Sequence, residues 1–353
     1  MRSAKSRTTL VAALVGLVAV LLAVVAAPAM AAVTINGAGA TFPAPLYYKW
    51  ANDWKAKTGN KVNYQAIGSG GGISAIKAGT VLFGGSDTPL TAADLSSSGL
   101  VQFPSCIGGV VPIVNLPGIG NGKLRLTGTV LADIYLGKIT TWNASAIKAL
   151  NPGVSLPSSR ILVVHRSDAS GTSWIFTKYL SAVSSEWANK VGADKSVRWP
   201  VGVAGKGNEG VAALVKQSKG RIGYVEYAYS VQSRIPWTQM KNKANKFVSP
   251  SLGTFAAAAS GASWSAANGF GTVLVNAGGA NSWPITGASF ILVKKSTGDY
   301  ATAHAMFQFW DWAYKSGRSQ ASALQYVSMP LSVVKNVEKV WHAQVKAGGK
   351  AAW

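Results

Sequence analysis

The chain has 353 residues, more than one compact core usually holds, so two domains are expected. Apolar residues make up 48% and charged residues 13%, with 39 Gly and 13 Trp, which excludes a disordered chain. A single cysteine, Cys106, excludes a disulfide framework and three histidines leave little for a zinc centre, while 34 Lys+Arg against 12 Asp+Glu give a net charge of +22.

Arg2, Lys5 and Arg7 form a basic start, an apolar run follows from Leu10 to Ala27, and Ala29-Met30-Ala31 supplies small residues for cleavage. This pattern predicts a secretory signal peptide over residues 1–31 and an exported mature chain. A retained membrane anchor is the alternative for so long a run. No cysteine stands at the cleavage site to carry a lipid. Farther on, residues 61–67 read as a strand and Gly72–Gly79 as a short helix. Ile107–Val114 is a buried strand closed by Pro117-Gly118, followed by a helical stretch over Leu126–Tyr135 and a strand over Arg160–His165. Between Gly171 and Lys190 the residues Ile175, Phe176, Tyr179, Leu180, Val183 and Trp187 recur at helical spacing. Val197–Val203 and Arg221–Tyr224 read as strands flanking a helix at Gly210–Lys216. Residues 247–279, rich in Ala, Gly and Ser, favour neither helix nor loop. Phe290–Val293 is a strand, and His304–Lys315 a helix with Met306, Phe307, Phe309, Trp310 and Tyr314 on its apolar side. Such alternation predicts an α/β fold with largely parallel sheets.

The basic residues are dispersed, and the densest cluster, Lys241, Lys243 and Lys246, is short and lacks interleaved aromatics. No nucleic-acid partner is expected; a surface depleted of acid accounts for the charge. Gly205-Lys-Gly-Asn-Glu-Gly210 fits GxGxxG, but Glu226 comes too early for a ribose contact, so it reads as a Gly-rich helix start. Lys57-Thr-Gly59 and Ser74-x-x-Lys77 echo penicillin-recognising enzymes in reversed order, with no Ser-Asp-Asn. His165 has no nucleophile arranged around it, and Cys106 reads as a small core hydrophobe. Catalysis has little support.

Anion binding has more. Backbone N–H groups at helix N-termini lack partners and lie at the positive end of the helix dipole. Three segments offer that arrangement: Gly37–Pro43 with Thr41 before a helix, Gly68–Gly72 with Ser69, and Ser170-Gly-Thr172 with Arg166 just before it.

At these residues the chain resembles a known family. The runs "GAGATFPAP", "GSGGGI", "FGGSDTPL", "LADIYLGKITTW", "RSDASGTS", "GKGNEGVAA", "GYVEYAY" and "WPIT" are similar to those of the high-affinity phosphate-binding proteins of the bacterial Pst ABC transporter. The resemblance extends over nearly all of residues 34–341. It implies a two-lobed, type II periplasmic-binding-protein fold of mixed, mostly parallel sheets joined by a two-segment hinge. The lobes would be 32–115 with 287–353, and 116–286. Phosphate would lie against the backbone of Ala40, Thr41 and Phe42, with the Thr41 hydroxyl adding a contact. Ser69, Asp87, Arg166, Ser170, Gly171 and Thr172 match the other ligand positions, and Asp168 the acid that pairs with the arginine. The chain departs from a relative at Leu82 and His165, which replace aspartate and arginine, and at Gly70, which replaces a serine; Leu82 would remove an acid from the site's edge.

The implied protein is a monomeric periplasmic receptor without a cofactor, not an enzyme, that hands phosphate to a membrane permease with its ATPase. An exported phosphoesterase on the same scaffold is the competing reading. So few carboxylates leave little titration to drive acid unfolding, which points to tolerance of an acidic exterior; steering of anions to the cleft is the other cause of the charge.

Overall fold

The computed structural model describes residues 32–353, so the expected signal peptide lies outside the described residues. In chain order the elements that frame the site are β1 (Thr34–Gly39), α1 (Ala44–Thr58), β2 (Lys61–Ala66), α2 (Ser69–Ala78), β3 (Phe83–Ser86) and β4 (Leu100–Asn115). After them come β5 (Leu162–Arg166), α3 (Gly171–Val183), β6 (Val203–Gly205), α4 (Gly207–Gln217), β7 (Arg221–Glu226), β8 (Thr286–Lys294) and α5 (Tyr300–Lys315). The strands form one nine-stranded sheet in the order β2-β1-β3-β8-β4-β7-β5-β6, with Val327–Ser328 added beside β4.

β4 joins two halves of this sheet. Fifteen of its sixteen residues are buried, as a run of Val, Ile, Leu and Phe covered on both faces requires. From Leu100 to Gly109 it pairs antiparallel with β8, and from Val110 to Asn115 antiparallel with β7. Pro104 cannot donate to a ladder, and the β4–β8 register shifts beside its partner Phe290. Parallel pairs lie outside these crossovers: β1 with β2 and β3 in one half, β5 with β6 and β7 in the other. Within one continuous core each half carries its own set of aromatic contacts. Trp310 of α5 sits edge-on to Tyr47, Phe83 and Phe103, whereas Phe176 of α3 stacks on Tyr224 at 4.1 Å.

Three expected elements differ from those observed. The helix expected over 171–190 breaks at Ser184, whose backbone is extended and whose hydroxyl caps a second helix, Ser185–Lys190, by accepting the Trp187 N–H. The strand expected over 197–203 shrinks to Val203–Gly205, because Pro200 lacks a donor and Gly202 has φ 113°. The Ala-rich stretch holds a helix, Leu252–Ala259, started by a capping box between Ser251 and Thr254.

Candidate functional site

Four helix N-termini, two from each half of the sheet, are linked by direct contacts. β1 ends at Gly39 and leads through Thr41 and Phe42 into α1 at Ala44, α2 begins at Ser69, α3 at Gly171 and α4 at Gly207. Direct contacts tie them together: the Gly171 N–H donates to Ser69 Oγ at 3.1 Å, and Asn208 Nδ2 donates to Thr41 Oγ1 at 2.7 Å and to Thr172 Oγ1 at 3.2 Å. Thr41, Ser69, Asp87, Arg166, Ser170 and Thr172 are all buried, each less than 4% exposed. Burial of so many polar groups demands partners.

Some partners are internal. Arg166 offers Nε and Nη2 to the two oxygens of Asp168 at 2.8 and 2.5 Å, a forked pair. The Gly207 N–H also donates to Asp168, at 3.0 Å. Burial opposes ionisation of Asp168, but Arg166 and this N–H outweigh it and hold the carboxyl below its ordinary value. One guanidinium nitrogen, Arg166 Nη1, is buried with no hydrogen-bond partner among the described residues. The cation therefore keeps one donor for something else.

Asp87 is the opposite case. Burial pushes its carboxyl up to about 7, against the pull of the Ser289 hydroxyl, the Arg166 charge and Ser69. Ser289 Oγ donates to Asp87 Oδ1, while Ser69 Oγ accepts the Asp87 N–H at 3.1 Å. A Cβ at Gly171 would stand 2.4 Å from Ser69 Oγ and 2.6 Å from Asp87 Oδ2, so glycine is needed there for the approach of α3. Gly68, at φ 88°, meets Asp168 in the same way, with 2.4 Å from an added Cβ to Oδ2.

The structure thus brings the expected residues into one cluster, with one correction. Ala40 cannot serve a ligand through its backbone: its N–H continues the sheet to the Gly85 carbonyl at 2.9 Å, and its carbonyl accepts the Tyr64 hydroxyl at 2.8 Å. The N–H groups of Thr41 and Phe42 donate to no acceptor among the described residues. Phe42 otherwise belongs to the core, its ring edge-on to Tyr326 and its carbonyl accepting the Tyr326 hydroxyl. Leu82 does not border the site, because it precedes β3 whereas Asp87 follows it; it lines a cavity with Asn36, Met306 and Phe307. His165 stacks on Trp199 at 4.9 Å with Nδ1 beside the Arg166 carbonyl, and burial lowers its pKa. Asn208, Glu226, Ser289 and Tyr229, whose hydroxyl donates to the Thr41 carbonyl at 2.6 Å, were not expected. Asn208 stands in the GxGxxG run, where a polar residue directly after the helix-opening glycine was the available signal. Glu226, fully buried, has its pKa raised chiefly by burial and accepts from Tyr326 and the Ala228 N–H.

The PBP superfamily domain matches residues 24–316. A curated relative from Xylella fastidiosa strain 9a5c, "Phosphate-binding protein PstS", is 54% identical over 314 residues, covering 89% of this chain and 86% of the relative. A protein of the same name from Pasteurella multocida is 53% identical over 321 residues, covering 91% and 93%. Among solved structures, a human phosphate binding apolipoprotein superposes with a TM-score of 0.73 at 21% identity, covering 90% of this chain and 98% of that one. At that identity the likeness is one of fold.

Proposed function

The chain belongs to the PBP superfamily and, within it, to the PstS phosphate-binding proteins, and on that premise we propose that it is an exported receptor that binds inorganic phosphate and delivers it to the permease and ATPase of an ABC importer. The observation that carries the reading is the buried guanidinium of Arg166. Held by Asp168 on two donors, it keeps Nη1 unpartnered in a cluster built from four helix N-termini. A dehydrated dianion needs many such donors. Thr41, Phe42, Ser69, Ser170 and Thr172 are the proposed contacts beside Arg166, Gly171 joins them only by turning its N–H from Ser69 Oγ to the anion, and Asp87 is the proposed acceptor.

Asp87 supplies selectivity. With its carboxyl up at about 7, one proton suffices for the pair it forms with the anion. Phosphate near neutrality carries a proton to share; sulfate carries none and leaves two negative groups face to face. Arsenate, protonated much like phosphate, escapes that penalty. The proposed lobes are 32–115 with 287–353, and 116–286; Val110, whose N–H donates to the Ile285 carbonyl at 2.8 Å, lies at the crossover. The contacts of Ser69 with Gly171 and of Thr41 with Asn208 are those a closed pair of such lobes would make. The proposed location is the periplasm, and no helix among the described residues is long and apolar enough to cross a membrane.

A phosphoesterase would need an activated nucleophile. The nearest imidazole, His165, is stacked on Trp199 and turned to a backbone carbonyl, with no hydroxyl bound to it. The deciding experiment measures phosphate binding and turnover of a chromogenic phosphate ester with purified wild type and Thr41→Ala. Tight binding without turnover is the expected result; turnover abolished by Thr41→Ala would overturn it.

A further inference from the structure

Asn208 is fully buried, yet it is the first charge-free polar side chain of α4 and every atom of its amide is spoken for. Its Oδ1 accepts the Glu226 N–H at 2.9 Å, from the last residue of β7. A main-chain N–H can only donate, so the amide has one orientation: oxygen toward β7 and Nδ2 toward the cleft. From there Nδ2 donates to Thr41 Oγ1 at 2.7 Å and to Thr172 Oγ1 at 3.2 Å. The Asn208 N–H adds a second bond to Thr41 Oγ1, at 3.3 Å.

A threonine hydroxyl has two acceptor lone pairs and one hydrogen. Both lone pairs of Thr41 Oγ1 are engaged by Asn208, so its hydrogen must be donated elsewhere. Thr172 Oγ1 is likewise approached by a donor, and neither hydroxyl donates to an acceptor among the described residues. We propose that Asn208 is a positioning residue that turns the hydroxyl hydrogens of Thr41 and Thr172 toward the bound anion, one from each side of the cleft. The backbone of β7 sets this polarity, and the amide relays it to two hydroxyls at once. The inference rests on the reading of the cluster as a phosphate site. It assigns donor character to groups that would otherwise rotate to suit any ligand.

The test is a mutant cycle read by equilibrium dialysis of radiolabelled phosphate, which reaches millimolar affinities. Asn208→Ala should weaken binding by about tenfold or more, the scale of a lost bond to a charged group. In the Thr41→Val background, and separately in Thr172→Val, that factor should shrink at least about threefold, because a hydroxyl Asn208 acts through is already gone. A purely structural role predicts the same factor in all three backgrounds, and that result would overturn the proposal. So would wild-type affinity in Asn208→Ala. Where the alanine variant unfolds, the same cycle is run with Asn208→Asp. Its carboxylate keeps the shape and the bond to Glu226 N–H but draws the Thr41 hydrogen to itself. Adding Thr41→Val to that variant should then cost under about threefold, against about tenfold in wild type; an equal cost in both sinks the idea. Wild type that binds no phosphate overturns the receptor reading and this role together, whereas binding with uncoupled losses overturns this role alone.

Discussion

Two aspartates of the proposed site carry the same functional group in opposite states. Asp168 pairs with Arg166 through two bonds and the Gly207 N–H, so it stays ionised despite its burial. Asp87 lies fully buried with two serine hydroxyls, and burial lifts it to about 7. Residue type therefore does not decide charge here; the partner does. One carboxylate serves to hold and moderate a cation, and the other is left able to hold or accept a proton. Loss of either state should show in binding.

Removing the cation breaks the first side outright. Arg166→Ala leaves Asp168 as a half-buried acid held only by the Gly207 N–H, and phosphate affinity should fall on the order of a thousandfold. Arg166→Lys keeps the charge but not the fork, and should recover only part of that loss in a calorimetric titration. Sides that can no longer meet give a smaller effect. Gly171→Ala inserts a Cβ 2.4 Å from Ser69 Oγ, so binding should weaken by roughly ten- to a hundredfold. The unfolding temperature of the ligand-free variant should move little, since the clash falls at the contact of α3 with Ser69 and not in either set of aromatic contacts.

The second side also marks the ligand-free protein through pH. A carboxyl raised in the folded state stabilises below its unfolded pKa and loses that contribution as pH rises through the folded value. For Asp87 the loss runs from about pH 4 to about pH 7 and amounts to on the order of 4 kcal/mol. Glu226, also raised, acts in the same direction. Asp168, Asp53, Asp94 and Asp299 are lowered, so their contributions vanish only as pH falls below the ordinary carboxylate range. Thermal unfolding of the ligand-free protein should thus occur at higher temperature at pH 5 than at pH 8. A lower unfolding temperature at pH 5 would contradict the assignment of Asp87. Collapse between pH 5 and pH 3 would end the expectation of acid tolerance.

Much of this was legible in the chain. The apolar spacing around Ile175 and Phe176 and the run at Ile107–Val114 located α3 and β4, because burial imposes periodicity. Gly-Ser and Gly-Thr turns before helices located Ser69 and Thr172 for a local reason, the unpaired N–H groups. What escaped was set by contacts across long separations. The Ala40 N–H is spent because β3 returns beside β1, and no local pattern says so. Ser289 meets Asp87 across 202 residues, and Asn208 meets Thr41 across 167. Leu82 looked close to Asp87 in sequence, but a strand of four residues separates them. Breaks at Ser184 and Gly202 were missed because a cap and a positive φ compete with apolar spacing only in three dimensions.

The most direct test of the account compares phosphate and sulfate binding by calorimetry at pH 7, for wild type and Asp87→Asn. Wild type should prefer phosphate by about ten-thousandfold or more, the scale on which sites reject an analogue that leaves a buried polar group unmatched. Asp87→Asn should lose most of that preference by gaining sulfate affinity. Sulfate binding to wild type should also strengthen as pH drops below 7, when Asp87 takes up its own proton. Sulfate bound within tenfold of phosphate by wild type at pH 7, or an Asn variant that keeps the wild-type ratio, would contradict the account, because the discriminating acceptor would not be Asp87.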